Sequence, residues 1–241
     1  MISFLAIQAT YQNVNIGLFN DSTMLQHVTI PNIYASKQLI LVIDGLLKTS
    51  NTQLKDLSCI MASQGPAPFS TLRTVLTAAN AIQFACALPL IGVDGLRAIA
   101  QEYHNPNYPH TITLLDAFNN DVYFCIPDSI SNNNGDNNDL QNLYDICYYT
   151  GYCNINTFIA QVATLQQTKK DRLFPIRFVG SGSLLHKHAI EAHIPTSYVQ
   201  DSTHSACSLS YIGLMGLKTW KKNISTSQLL PLYLKKHQAE R

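Results

Sequence analysis

With 241 residues, 46% of them apolar, the chain is long enough to bury a substantial core as one large domain or two small lobes, and its composition excludes a disordered polymer. Only 13% of the residues are charged, so much of the surface is neutral polar or is covered by another protein. A formal net charge of +1 excludes a globally basic nucleic-acid binder, and any contact with RNA has to come from a local patch.

The first residues, Met1-Ile-Ser-Phe-Leu-Ala-Ile-Gln8, carry no basic segment before Lys37, and their apolar run is broken at Gln8 and Tyr11. The expectation is a strand rather than a secretion signal. No run reaches the roughly 18 to 20 apolar residues of a membrane span, so a cytoplasmic protein that makes no membrane contact is expected. Six cysteines, Cys59, Cys86, Cys125, Cys147, Cys153 and Cys207, lack Cys-x-x-Cys spacing and mostly lie in apolar contexts. They read as small buried thiols of a reducing compartment rather than as disulfides or zinc ligands.

Segments 2 to 7, 14 to 19 and 23 to 30 are rich in β-formers and separated by polar turns, which predicts a three-stranded antiparallel opening. From 36 to 48 the spacing turns helical, with Leu39, Val42, Ile43, Leu46 and Leu47 on one stripe. A buried strand at 57 to 63 runs into Gly65-Pro-Ala-Pro68, which feeds a helix over 69 to 87 that Pro89 ends. A short strand at 90 to 93 and a helix to Tyr103 complete the first lobe, residues 1–103.

The polar stretch from Glu102 to Pro109 holds two prolines and marks the boundary. Beyond it, strands are expected at 111 to 117 and 121 to 127 around an Asn119-Asn120 turn. The Asn-rich segment 128–142 has little to bury and reads as a mobile loop. A strand-helix-strand unit to Val179, the Gly180-Ser-Gly182 turn, a helix to Ala192, a strand at 197 to 200 and a helix at 205 to 220 fill a second lobe, residues 104–241. Strands followed by helices in both halves point to an internal duplication.

The stretch from Gly65-Pro-Ala-Pro-Phe-Ser-Thr-Leu-Arg73 through Leu88-Pro-Leu-Ile-Gly-Val93 resembles the signature of the TsaB/YeaZ family, a Gly-Pro-Gly-Ser-Phe-Thr-Gly-Leu-Arg loop and helix followed by Pro-x-x-Gly-Val. Further matches come in order: Phe4-Leu-Ala-Ile-Gln-Ala-Thr10, Leu115-Asp-Ala117 with Val122-Tyr123, Val179-Gly-Ser-Gly182, and Pro231-Leu-Tyr-Leu-Lys235. The resemblance spans nearly the whole chain and is weakest over 128 to 175. It implies an α/β fold of two actin-like (ribonuclease-H-like) lobes, the second degenerate. It also implies a non-catalytic scaffold for the tRNA N6-threonylcarbamoyladenosine modification, paired with a TsaD-like catalytic subunit or a second copy of itself. In that reading a TsaE-like ATPase assists, ATP is used by the complex rather than held by this chain, and tRNA is met only through the complex.

Departures from the signature bear on chemistry. The family's first strand normally ends in Asp; here Gln8 stands there, and a neutral amide does not recruit Mg²⁺ as a carboxylate does. Ala67 and Thr71 replace two family glycines and Pro68 replaces a serine, so the loop loses donors and gains bulk where a phosphate cradle needs bare backbone. The loop reads as a connector whose proline presets the helix start.

Among other constellations, His186, His188 and His193 share a short helix without an HxxxH or HExxH spacing, which reads as a polar surface. No GxSxG elbow supports nucleophilic hydrolysis. Lys218, Lys221, Lys222, Lys235 and Lys236, with Arg241, face only Glu240 among nearby acids; the patch is a candidate for RNA contact, with a solvated tail as the plain alternative. The helices at 36 to 48 and 69 to 87 carry more apolar residues than a one-sided helix needs. The candidate interface is therefore Ile40, Leu41, Asp44, Leu72, Arg73, Val75, Leu76, Ala79 and Ile82, with burial inside the same subunit as the alternative. In the family this helix pair forms the contact to the partner. The other class of function is an enzyme, an actin-fold kinase or a glycoprotease-type peptidase.

Overall fold

The structure is a computed structural model that describes residues 1–108, 110–127, 148–168, 175–201 and 204–235. The segment 128–142 expected to be a mobile loop lies outside the described residues, as do Cys147, Lys236 and Arg241. By its contacts the chain divides into two compact units, Met1–Ala98 with Cys207–Leu232, and Ile99–Ala206 with Tyr233–Arg241.

In the first unit, β1 (Ser3–Ala9), β2 (Asn13–Asn20) and β3 (Thr23–Pro31) form the antiparallel meander, and β4 (Cys59–Ser63) and β5 (Leu90–Val93) extend it in parallel, in the order β3-β2-β1-β4-β5. The meander follows from short polar turns, and the parallel strands need crossovers, supplied by helices α1 (Asn32–Thr49) and α2 (Phe69–Cys86). Helix α3 (Gly95–Glu102) starts where the Asp94 carboxylate accepts from the backbone N–H groups of Leu96 and Arg97, and it crosses the division between the units.

The strand period of two decides where each β1 side chain goes. Leu5, Ile7 and Ala9 join Leu39, Ile43, Leu46 and Leu47 of α1 and Leu72, Val75 and Leu76 of α2 in one core. Phe4 and Ala6 point the other way, onto Leu209 and Leu217 of the last helix, α7 (Leu209–Lys221). The central strand is therefore apolar on both faces because both are covered.

The second unit repeats the order. Strands β6 (His110–Asp116), β7 (Asp121–Pro127) and β8 (Tyr148–Asn154) form its meander, and β9 (Ile176–Val179) and β10 (Ser197–Val199) add in parallel, giving β10-β9-β6-β7-β8. Its helices are α4 (Ile155–Thr168), α5 (Ser181–Leu185) and α6 (Lys187–His193). These are the expected actin-like lobes, and the degeneracy lies in the three-residue edge strand β10 and a broken helix while the strand order is intact.

Two readings are corrected. A cut after residue 103 gives α7 to the second lobe, yet α7 packs on β1, β2, β4 and β5 of the first sheet. Leu209 and Leu217 supply the apolar cover that the second face of that sheet requires. The cysteines Cys59, Cys125 and Cys207 are buried as expected, but Cys86 is exposed, because it occupies the last position of α2 beyond the part of the helix that faces the sheet.

Candidate functional site

The first candidate location is the C-terminal edge of β1. Gln8 is 2% exposed and belongs to the face of the sheet that α7 covers. Its amide nitrogen donates to the Cys207 carbonyl oxygen at 3.0 Å and to Cys207 Sγ at 3.5 Å, while Oε1 has no partner among the described residues. An orphaned acceptor attracts a donor such as water, and phosphate oxygens are themselves acceptors. Gln8 thus spends its donors fastening the residues that lead into α7.

The loop after β4 is equally committed. Gly65 has φ +107°, which glycine adopts without a Cβ penalty, and its N–H reaches Ser63 Oγ at 3.4 Å while its carbonyl accepts from Gly95 N at 3.0 Å. Pro66 and Pro68 have no N–H to offer, and Pro68 is the N-cap of α2, its carbonyl accepting from Leu72 N at 2.9 Å. Gln8 carries no carboxylate for a metal, and Pro66 and Pro68 bring no N–H to a phosphate. Pro68 sits one position before the first helical residue, Phe69, and otherwise acts as the expected connector.

The second candidate is the helix pair. Helices α1 and α2 pack against each other over the sheet, and the structure sorts the candidate interface residues into two groups. Leu72, Val75, Leu76, Ala79 and Ile82 lie in the core of their own unit, with Val75 and Ala79 at 0% exposure. They face β1, β4, β5 and α1, so they are withdrawn as contact residues. Ile40, Leu41, Asp44 and Arg73 are exposed. Ile33, Phe69 and Phe84, which the sequence pattern does not single out, are 77%, 51% and 90% exposed.

Spacing explains the surface. Ile33, Lys37 and Leu41 follow one another at i, i+4, i+8 on α1, with Ile40, Asp44 and Lys48 beside them, and Asp44 is paired to Lys48 at 2.7 Å. On α2, Phe69, Arg73, Thr77 and Ala81 make the corresponding row, extended by Phe84, and the Arg73 guanidinium lies 4.1 Å from the Phe69 ring centroid. Large apolar side chains held outward on two packed helices, with Lys37, Asp44, Lys48 and Arg73 set among them, have the mixed composition of a protein contact.

The basic candidates disperse. Lys218 is half-buried, Lys221 and Lys222 are exposed at the end of α7, and Trp220 beside them packs against the cluster that holds Phe4 and Leu217. Lys235 belongs to the other unit, where its ammonium lies 4.9 Å from the Tyr152 ring centroid, and Lys236 is outside the described residues.

In the second unit, Asp116 ends β6, and its Oδ1 accepts from Phe118 N at 2.8 Å while its own N–H donates to Ser181 Oγ at 3.3 Å. Burial holds His186 below the ordinary imidazole range, and the nearby Asp116 carboxylate partly opposes this. His193 Nδ1 lies 2.9 Å from the Ala189 carbonyl. Among the described residues no three His, Cys, Asp or Glu side chains converge on a metal position. Burial pushes the Cys59 thiol up to about 12, which keeps it protonated. Among the described residues no helix is long and apolar enough to cross a membrane.

Comparison with known proteins adds a family to this geometry. Residues 30–240 match the family described as TsaD, tRNA N6-adenosine threonylcarbamoyltransferase. The tRNA threonylcarbamoyladenosine biosynthesis protein TsaB of Escherichia coli (strain K12) is 26% identical over 122 residues, 50% of this chain and 53% of that protein. The protein of the same name from Haemophilus influenzae is 29% identical over 92 residues, 37% of this chain and 38% of that one. The chain thus spans about half or less of the length of these relatives. A crystal structure described as an uncharacterized protein with similarity to peptidase YEAZ from Pseudomonas aeruginosa superimposes with a TM-score of 0.71 at 18% identity, covering 98% of this chain and 100% of that one. At that identity the likeness shows a shared fold.

Proposed function

The chain belongs to the family described as TsaD, tRNA N6-adenosine threonylcarbamoyltransferase, and within it to the TsaB/YeaZ group; from that premise we propose that it serves tRNA N6-threonylcarbamoyladenosine synthesis as a non-catalytic partner of a TsaD-type catalytic subunit. The observation that carries this reading is the outward face of α1 and α2, where Ile33, Ile40, Leu41, Phe69 and Phe84 are exposed together with Asp44 and Arg73. A partner that binds this face in one conformation of its own cleft shifts its population toward that conformation, and no chemistry is required of the scaffold. Gln8 and the proline-bearing loop support the non-catalytic part of the proposal, since neither offers a place for Mg²⁺ or phosphate. In this reading ATP and a TsaE-like ATPase act on the complex, and tRNA meets this chain only through it.

Each large aliphatic or aromatic side chain buried at such a contact contributes about 1.5 to 3 kcal/mol. Changing Leu41→Glu and Phe84→Glu together should therefore weaken association about 10² to 10⁴-fold. The experiment mixes the chain with a TsaD-like protein of the same genome, follows the complex by light scattering, and checks folding by circular dichroism. Loss of the complex from a folded double variant is the expected result. A folded variant that still associates places the contact elsewhere. A wild-type chain that forms a homodimer and ignores the TsaD-like protein gives the face to a second copy. Phosphate release by the isolated chain above a buffer control, abolished by substitution near Gly65, would instead favour the kinase reading.

A further inference from the structure

We propose that Arg177, Thr111 and Thr113 of the second unit form a binding site for a small inorganic monoanion of halide size, on the face of the second sheet opposite its apolar core.

Strand register brings the three residues together. Thr111 on β6 is the direct parallel partner of Arg177 on β9, so their side chains leave the same face of the sheet on neighbouring strands about 5 Å apart. Thr113 lies two residues further along β6 and shares that face, between its register partners Val179 of β9 and Cys125 of β7. The alternate residues Ile112, Ile176 and Phe178 belong to the apolar core. Thr111 and Thr113 are 2% and 0% exposed, and neither hydroxyl has a partner among the described residues. Valine fits a strand equally well without a polar atom, so two buried hydroxyls in this row call for a ligand that uses them.

Arg177 adds a charge to the row. Its Nη1 donates to the Tyr103 carbonyl and its Nη2 to Gln200 Oε1 at 2.7 Å, and both acceptors are neutral. Its Nε is buried without a partner among the described residues. Burial lowers the guanidinium's pKa, with Tyr198 and Tyr108 partly opposing, and the same cation helps to keep His104 neutral. The guanidinium is thus a partly desolvated cation held by neutral acceptors, and a buried charge without a counter-charge is destabilising.

Charge and donor chemistry select the ligand. Nε–H can only donate, and each threonine hydroxyl can turn its hydrogen toward the same point. A water at that point has two hydrogens of its own to place, whereas an anion accepts from every donor and supplies the missing counter-charge. The complete burial of Thr113 limits the occupant to the size of a halide.

The test uses bromide and chloride as probes on the full chain. Crystals soaked in sodium bromide should show an anomalous peak at hydrogen-bond distance from Arg177 Nε. In solution, the thermal midpoint in sodium chloride or bromide should exceed that in sodium gluconate at equal ionic strength by a few degrees, rising with halide concentration. Thr113→Val keeps the side-chain volume and removes a donor, and it should reduce this halide-specific shift several-fold in a chain that circular dichroism shows to be folded. Arg177→Gln should abolish the shift, and Lys55→Met, at an exposed lysine, should retain it. A shift that Thr113→Val leaves intact arises elsewhere and overturns the proposal. An ordered water at Nε, with bromide bound at the surface as an adventitious ion only, overturns it as well.

Discussion

The helix between the fourth and fifth strands is a single rod of 18 residues in the first unit, α2, and two pieces of 5 and 7 residues in the second, α5 and α6, which meet at His186. The first strands differ as well. β1 sends apolar side chains to both of its faces, whereas β6 sends Ile112 and Leu114 into its core and carries the buried hydroxyls Thr111 and Thr113 on the alternate positions. One strand order therefore supports two different surfaces. The unbroken helix carries a row from Phe69 to Phe84 outward while its opposite side fills a core, which the broken pair α5 and α6 cannot do over the same length.

The comparison is broken most easily on α2 and α1 themselves. Leu76→Ala removes a side chain that is 2% exposed and should cost about 2 to 5 kcal/mol of stability. Leu41→Ala, at 71% exposure, should stay within about 0.5 kcal/mol. Urea unfolding of the isolated chain measures both. Equal losses would mean that Leu41 is covered within the subunit and that the outward face does not exist.

The turns after β4 and β9 offer a second comparison. Gly65 and Gly180 have φ of +107° and +104°, so both resist a side chain. They differ in what a Cβ would meet. At Gly65 the nearest atom is the flexible end of Leu72, whereas at Gly180 it is the Leu114 carbonyl oxygen, which cannot yield without moving β6. Gly180→Ala should therefore cost about 2 to 3 kcal/mol and Gly65→Ala about 1 kcal/mol. The same unfolding curves decide, and the opposite ranking would show that the loop after β4 is the more rigid of the two.

What is legible in the sequence depends on the range of the interaction. The strands were legible because an apolar run bounded by polar turns is a local pattern, and β5 and β7 fall where that pattern put them. The start of α2 was legible from Pro68, and the buried stripe of α1 from the spacing of Leu39, Ile43, Leu46 and Leu47. The direction in which α2 faces was not. Leu72, Val75, Leu76, Ala79 and Ile82 looked surplus because a helix wedged between a sheet and a neighbouring helix buries a wider arc than a helix lying alone. The docking of α7 on the first sheet was also invisible, since it depends on packing between segments about 200 residues apart, as the Gln8 bond to Cys207 illustrates with its separation of 199. Phe69 and Phe84 were missed for the converse reason: in an apolar helix no local signal separates an exposed phenylalanine from a buried one.

Gln8 gives the third test. Gln8→Asp removes the N–H groups that hold the Cys207 carbonyl and places a carboxyl where burial disfavours its charge. The loss of one buried bond should cost about 1 to 2 kcal/mol. Burial raises a carboxyl pKa in the folded state, so the variant should be most stable at acidic pH and should weaken as pH rises through the carboxylate range. Thermal melts at pH 4.5 and 7 compare it with wild type. A variant equally stable at both would show that water reaches the position, which would reopen the first unit to charged ligands.

The smallest expected effect separates the units by pH. His104 is held below the ordinary imidazole range by burial first and by the Arg177 cation second, and His186 is lowered by burial with Asp116 opposing. Both belong to the second unit. For a group whose folded pKa is depressed, the unfolded chain binds more protons at pH values between the two, so stability is full above the unfolded value, about 6.5, and declines as pH falls toward the folded one. Acidification from pH 7 to 5.5 should therefore accelerate hydrogen exchange in β6 and β9 while β1 and β4 change less. His104→Gln, which cannot take up a proton, should flatten part of that decline. His186→Gln should flatten less, because Asp116 already offsets some of the desolvation there. If acidification loosens β1 and β4 first, or if neither substitution changes the profile, these two imidazoles do not govern the acid response, and the two units answer to pH alike.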